Sequence, residues 1–123
     1  MTNPRDKYRG RASVTIRYDA GSGEIVLSED PIFIRRRGRI DWQCDDGDWT
    51  ITVDDADAPF DEGKEVRGRR GQPTAVRVRD DAHKGQPDGR RYKYTVAVDI
   101  GDETVQRDPE VVVGPEDPPD DDD

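Results

Sequence analysis

Apolar and polar residues alternate with a period of two along most of the chain, the signature of half-buried strands. In 13–19, Val14, Ile16 and Tyr18 share one face, and Thr15, Arg17 and Asp19 the other. Gly21-Ser22-Gly23 predicts a turn, and Ile25 and Leu27 a short strand after it. Pro31 restarts the chain, and Ile32-Phe33-Ile34 reads as a short apolar strand. The arginine-rich stretch 35–39, interrupted by Gly38, reads as a turn at a strand end. Ile40, Trp42 and Cys44 then alternate with Arg39, Asp41 and Gln43, and Trp49, Ile51 and Val53 with Thr50 and Thr52. Between them, Asp45-Asp46-Gly47-Asp48 predicts a hairpin turn, since Asp and Gly tolerate positive φ.

From 54 to 63 the alternation stops, and a long acidic loop is expected to tuck Phe60 onto the core. A loose strand at Val66 and a clearer one over 74–79 follow, then a polar loop over 80–89. The strongest strand comes next, with Tyr92, Tyr94, Val96, Val98 and Ile100 on one face. Gly101-Asp102 turns the chain, and Val111-Val112-Val113 closes the fold. No segment carries a 3.6-residue apolar period. The expectation is an all-β, seven- to eight-stranded Greek-key β-sandwich. Its core includes Ile40, Trp42, Ile51, Tyr94, Val96 and Val98.

Composition sharpens this picture. At 123 residues the chain has the size of one domain. Residues 11–114 form the expected domain, 1–10 a flexible N-terminus, and the Pro- and Asp-rich stretch 115–123 a disordered acidic tail. Charged residues reach 40% against 30% hydrophobic, a balance that leans toward disorder and is overruled by the alternation. A net charge of −9 opposes general binding to nucleic acid or anionic membrane. With no apolar run of transmembrane length and no signal-like N-terminus, a cytoplasmic location is expected. The single cysteine, Cys44, excludes an internal disulfide.

Two stretches resemble parts of a cupredoxin. Ile32-Phe33-Ile34 followed by Gly38-Arg39-Ile40-Asp41-Trp42 is similar to the strand, Gly turn and alternating strand of that family. Gly89-Arg90-Arg91-Tyr92-Lys93-Tyr94-Thr95-Val96 with the closing Val111-Val112-Val113 is similar to its Gly-x-Tyr-x-Tyr strand and final strand. The resemblance spans roughly 11–114 and implies a cupredoxin-like sandwich, with an immunoglobulin-like one as its neighbour in architecture. The family's copper chemistry does not carry over. A blue-copper site needs two imidazoles and a thiolate, usually with an axial Met. Here His83, Cys44 and Met1 are the sole His, Cys and Met, so no metal or other cofactor is expected.

The candidate chemistry is sparse. Cys44 reads as an end-of-strand residue, and a nucleophilic role would need His83 beside it. The clusters Asp45-Asp46-Asp48, Asp54-Asp55-Asp57 and Asp80-Asp81 lack EF-hand spacing and read as turn chemistry. The arginines, by contrast, are grouped: Arg35, Arg36, Arg37 and Arg39; then Lys64, Arg67, Arg69, Arg70, Arg77 and Arg79; then Arg90 and Arg91. Arg suits bidentate recognition of carboxylate or phosphate. The candidate partner-binding patch is therefore Arg35, Arg36, Arg37, Arg39, Arg67, Arg69, Arg70, Arg77 and Arg79. The leading expectation is a non-enzymatic module that binds another protein. The alternatives are an acidic regulatory protein competing for a polyanion site, and a calcium- or carbohydrate-binding sandwich.

Overall fold

The computed structural model describes residues 8–54, 57–84 and 89–114, and these form nine strands and no helix. The strands are β1 (Arg9–Asp19), β2 (Glu24–Leu27), β3 (Ile32–Cys44), β4 (Trp49–Val53), β5 (Glu65–Gly68), β6 (Thr74–Arg77), β7 (Arg90–Ile100), β8 (Glu103–Arg107) and β9 (Glu110–Gly114). The fold is all-β as expected. β1 begins at Arg9, two residues ahead of the expected boundary, and Tyr8 before it is buried. The segments 1–7 and 115–123 lie outside the described residues. Among the described residues no helix is long and apolar enough to cross a membrane.

The strands join in one mixed, open sheet in the order β2-β1-β3-β9-β7-β4-β5, with β6 added to β3 and β8 to β7. β1 and β9 both run parallel to β3. The two long strands each serve two sets of neighbours. β3 pairs its first half with β9 and its second with β6, while β1 lies along its other side. β7 pairs first with β9, then with β4 and β8.

Three expectations are corrected. The count is nine rather than seven or eight. β8 was not foreseen because Val105 is its one apolar residue, packed only partly against the core at a sheet edge. The stretch 35–39 is not a turn at a strand end but a bulge inside β3. Between the pairs Arg9↔Ile34 and Arg11↔Arg39, β1 advances two residues and β3 advances five. Arg37 takes a left-handed φ of 64° there, and the next residue must be small. A Cβ on Gly38 would lie 2.7 Å from the Ile34 side chain and 2.9 Å from the Arg35 carbonyl oxygen. Finally, 45–48 is not a hairpin. β3 and β4 share no ladder, and the segment carries the chain from the β1-β3-β6 part of the sheet to the β4-β7 part.

The core lies where the sheet folds over on itself. Trp42 of β3 packs on Trp49 of β4 and Tyr94 of β7, with ring centroids 6.4 and 6.0 Å away, although β3 is hydrogen-bonded to neither strand. Phe60 meets Trp42 edge to face at 5.6 Å, and its loop is held by a bridge to Val78. Every expected core residue is fully buried.

Burial raises the pKa of Tyr94, and of Tyr92 and the Cys44 thiol less strongly. These acids hold their protons more tightly folded than unfolded. Their contribution to stability is complete below the unfolded values, about 8.5 for Cys and 10 for Tyr, and is lost as pH rises past them. Thermal melts should therefore fall steeply above about pH 9–10. Tyrosinate absorbance should rise in a cooperative step together with unfolding. A native fold that titrates all its tyrosines near their ordinary pKa would contradict this burial.

Candidate functional site

The parallel pairing of β1 with β3 and the antiparallel pairing of β6 with β3 decide where the arginines meet. Arg11 stands opposite Arg39, and Arg39 stands opposite Arg77. Three arginines thus form one rung across three adjacent strands. All three are exposed, because each alternates with buried neighbours: Ala12 on β1, Ile40 on β3, and Val76 and Val78 around Arg77.

Opposed cross-strand residues have Cβ atoms ~4.5–5.5 Å apart, and like charges there are destabilising. Compensation along this rung is incomplete. Asp41 takes a hydrogen bond from Arg39 Nε at 3.0 Å and another from Arg11 Nη2 at 3.1 Å, so one carboxylate serves two guanidinium groups. The Arg77 guanidinium has no carboxylate partner among the described residues, and its Nη1 donates to the Arg37 carbonyl at 3.3 Å. Glu62 is spent on the backbone, where its Oε1 accepts from the Arg77 N–H at 3.2 Å. A shallow depression of about 220 Å³ opens here, lined by Arg39, Glu62, Ala75, Val76 and Arg77.

The bulge adds charge beside the rung. Arg36 and Arg37 both pair with Asp80, the latter at 3.4 Å. Arg35, next to them, lays its guanidinium over Gly10. Arg79 is committed elsewhere. It donates to the Ala58 carbonyl at 2.8 Å and grips Asp81 from Nε and Nη2, which holds the Asp81 carboxyl below its usual range. Arg79 is thus a staple between two loops.

The nine-arginine patch expected from sequence is two groups in space. Arg35–Arg39, Arg77 and Arg79 gather at the bulge. Arg67, Arg69 and Arg70 sit at the other end of β3. Arg70 donates from Nε to the Asp45 carbonyl and from its backbone N–H to the Asp48 carboxylate, at 2.8 and 2.9 Å, and Arg67 pairs with Glu65 at 2.9 Å. A second depression of about 360 Å³, lined by Arg67, Arg69, Asp48 and Asp99 among others, carries both signs of charge. Sequence reasoning missed Arg11 altogether. Its membership depends on a parallel register with a strand some thirty residues on, which no local pattern encodes.

The other candidates stay apart or are engaged in holding the fold. Cys44 is buried at the end of β3. His83 lies in the 80–84 turn, which the Tyr92 hydroxyl pins by donating to the Ala82 carbonyl. The Cys44 thiol is engaged with the Asp46 and Gly47 backbone. Asp46 accepts from the Tyr18 N–H at 2.7 Å, and Asp57 pairs with Lys84 at 2.6 Å, which lowers its pKa. Asp55 lies outside the described residues. Among the described residues, no three His, Cys, Asp or Glu side chains stand close enough to hold a metal ion.

No protein-family model matches this chain, and neither does any curated protein.

Proposed function

We propose that this chain is a non-enzymatic binding module, built on a metal-free sandwich of the cupredoxin kind, that engages an acidic segment of a partner protein. The observation that carries the reading is the rung Arg11–Arg39–Arg77: three exposed guanidinium groups on adjacent strands, of which Arg11 and Arg39 share the Asp41 carboxylate and Arg77 has none among the described residues, in a chain of net charge −9. Like charges placed this way cost stability, and selection for folding alone favours Thr or an alternating pair at such positions. A carboxylate-bearing ligand offsets that cost by accepting bidentate hydrogen bonds. The row suits an extended acidic peptide, because cross-strand steps of ~5 Å approach the ~7 Å between same-face side chains of a strand.

The test is fluorescence anisotropy of a labelled hexa-aspartate peptide at low salt. Combining Arg39→Gln with Arg77→Gln should weaken binding roughly five- to thirtyfold, for pairs contributing ~0.5–1 kcal/mol each. The same double variant should melt at or above the parent temperature, since cross-strand repulsion is removed. Arg67→Gln with Arg69→Gln is the control and should change affinity little. Equal losses from both pairs would reduce the site to non-specific charge.

A further inference from the structure

The row of charge across the sheet does not end at Arg77. Where β6 leaves the β3 ladder, the Val78 N–H donates to the Gly38 carbonyl at 2.8 Å. Hydrogen-bonded and non-hydrogen-bonded pairs alternate along an antiparallel ladder. The next pair, Arg39↔Arg77, is therefore of the second kind, and the Arg77 N–H and carbonyl point to the outer edge of β6. The segment 59–62 takes both of them there. The Asp61 N–H donates to the Arg77 carbonyl at 2.9 Å, and Glu62 Oε1 accepts from the Arg77 N–H at 3.2 Å. The Arg79 N–H donates to the Pro59 carbonyl at 2.8 Å, and the bridge from Phe60 to Val78 fixes the same segment. After Glu62 the chain turns away: the Gly63 N–H donates to the Phe60 carbonyl at 3.1 Å, and Gly63 takes a φ of 104°. Glu62 is thus held by backbone contacts as the next charge beyond Arg77. Across β1, β3, β6 and this edge the order is Arg11, Arg39, Arg77, Glu62: three positive charges, then one negative.

We propose that the partner's acidic segment carries a lysine just past its acids, and that Glu62 reads it. The proposal rests on the rung as the partner site and sharpens the partner's chemistry. Arg39, Arg77 and Glu62 line one depression, together with the small Ala75. Glu62 is exposed, and the Arg77 N–H uses one oxygen of its carboxylate. A uniformly acidic ligand is repelled at that end of the row, whereas an ammonium gains an ion pair there. Lysine suits the position, because its charge is compact and its stem flexible. Same-face side chains of an extended peptide recur at every second residue. The recognised pattern is therefore Asp-x-Asp-x-Asp-x-Lys in one direction or the other, with three carboxylates for the arginines and the ammonium for Glu62.

The test uses the full chain and three end-capped heptapeptides of one composition: six aspartates then a lysine, a lysine then six aspartates, and a lysine between two runs of three aspartates. Each is titrated at low salt and followed on the arginine Nε–Hε resonances. Either terminal lysine stands one same-face step beyond three acids, whereas the central lysine reaches Glu62 only if an arginine loses its carboxylate. The tighter of the two terminal-lysine peptides should bind about two- to fivefold more tightly than the central isomer. Glu62→Gln keeps an oxygen for the Arg77 N–H and removes the charge, so it should abolish this preference. A preference that survives Glu62→Gln would come from the unbroken run of acids and overturn the proposal. If the isomers bind the parent alike while Arg39→Gln with Arg77→Gln weakens hexa-aspartate binding, Glu62 reads no cation and the partner site stands. If those arginine substitutions also leave hexa-aspartate binding unchanged, both fail.

Discussion

Trp42→Ala should cost ~3–5 kcal/mol and lower the melting temperature by roughly 10–25 °C, the largest effect expected of any single truncation here. Trp42 is completely buried, and its ring meets those of Trp49, Phe60 and Tyr94. It joins β3 to β4 and β7, with which β3 forms no ladder, so its removal leaves a cavity where the folded-over sheet meets itself. With total stabilities near 5–15 kcal/mol, such a loss takes a large share. Trp42→Phe should cost far less. It keeps an aromatic ring against Phe60 and Tyr94. A Trp42→Ala chain melting at the parent temperature would show that the sheet does not close over this residue.

Gly47→Ala should be nearly as damaging, at about 3 kcal/mol. Gly47 lies in the segment that carries the chain across the core, where the Asp99 N–H donates to the Asp48 carbonyl at 2.9 Å. A methyl group on Gly47 would sit 2.0 Å from the Asp99 carbonyl oxygen and 3.1 Å from its carbon. Backbone blocks it on that side, so the crossing segment must lift off β7. Gly21→Ala is the contrast. It lies in the β1-β2 turn, where the nearest atom to an added methyl is the Asp19 carboxylate at 3.3 Å, and its expected cost is below ~1 kcal/mol. Equal denaturation midpoints for the two variants would contradict the docking of 45–48 on β7.

The strands were legible wherever one face is buried. In β1, β4 and β7 the alternation of buried and exposed residues follows the apolar pattern, so Val14, Ile51 and Val96 take their expected places. Legibility failed where a non-local choice decided the outcome. Asp45-Asp46-Gly47-Asp48 has the residues of a tight turn, but the chain there changes layers, because the partner of β4 is β7 rather than β3. Arg35–Arg39 looks like a strand end because it lacks apolar residues. It remains inside β3 because β1 pairs on either side of the bulge. β8 is held by its ladder to β7 and by Arg107, whose Nη1 donates to the Ile25 carbonyl of β2 at 2.9 Å, rather than by apolar burial. The candidate site was half legible for the same reason. Clustering in sequence pointed to arginine, but the rung is a property of register, which joined Arg11 to Arg39 and Arg77 and left Arg67, Arg69 and Arg70 elsewhere.

As the surface proposed to take an acidic partner, the Arg11–Arg39–Arg77 rung should respond to an acidic ligand ahead of every other arginine group. The most direct test is a titration of the protein with hexa-aspartate, followed on the arginine Nε–Hε resonances. Saturable shifts are expected at Arg11, Arg39 and Arg77, fitting one dissociation constant that weakens with added salt, with Arg67, Arg69 and Arg70 nearly unmoved. Shifts centred on Arg67, Arg69 and Arg70, or small non-saturating shifts at every arginine, would contradict the proposal.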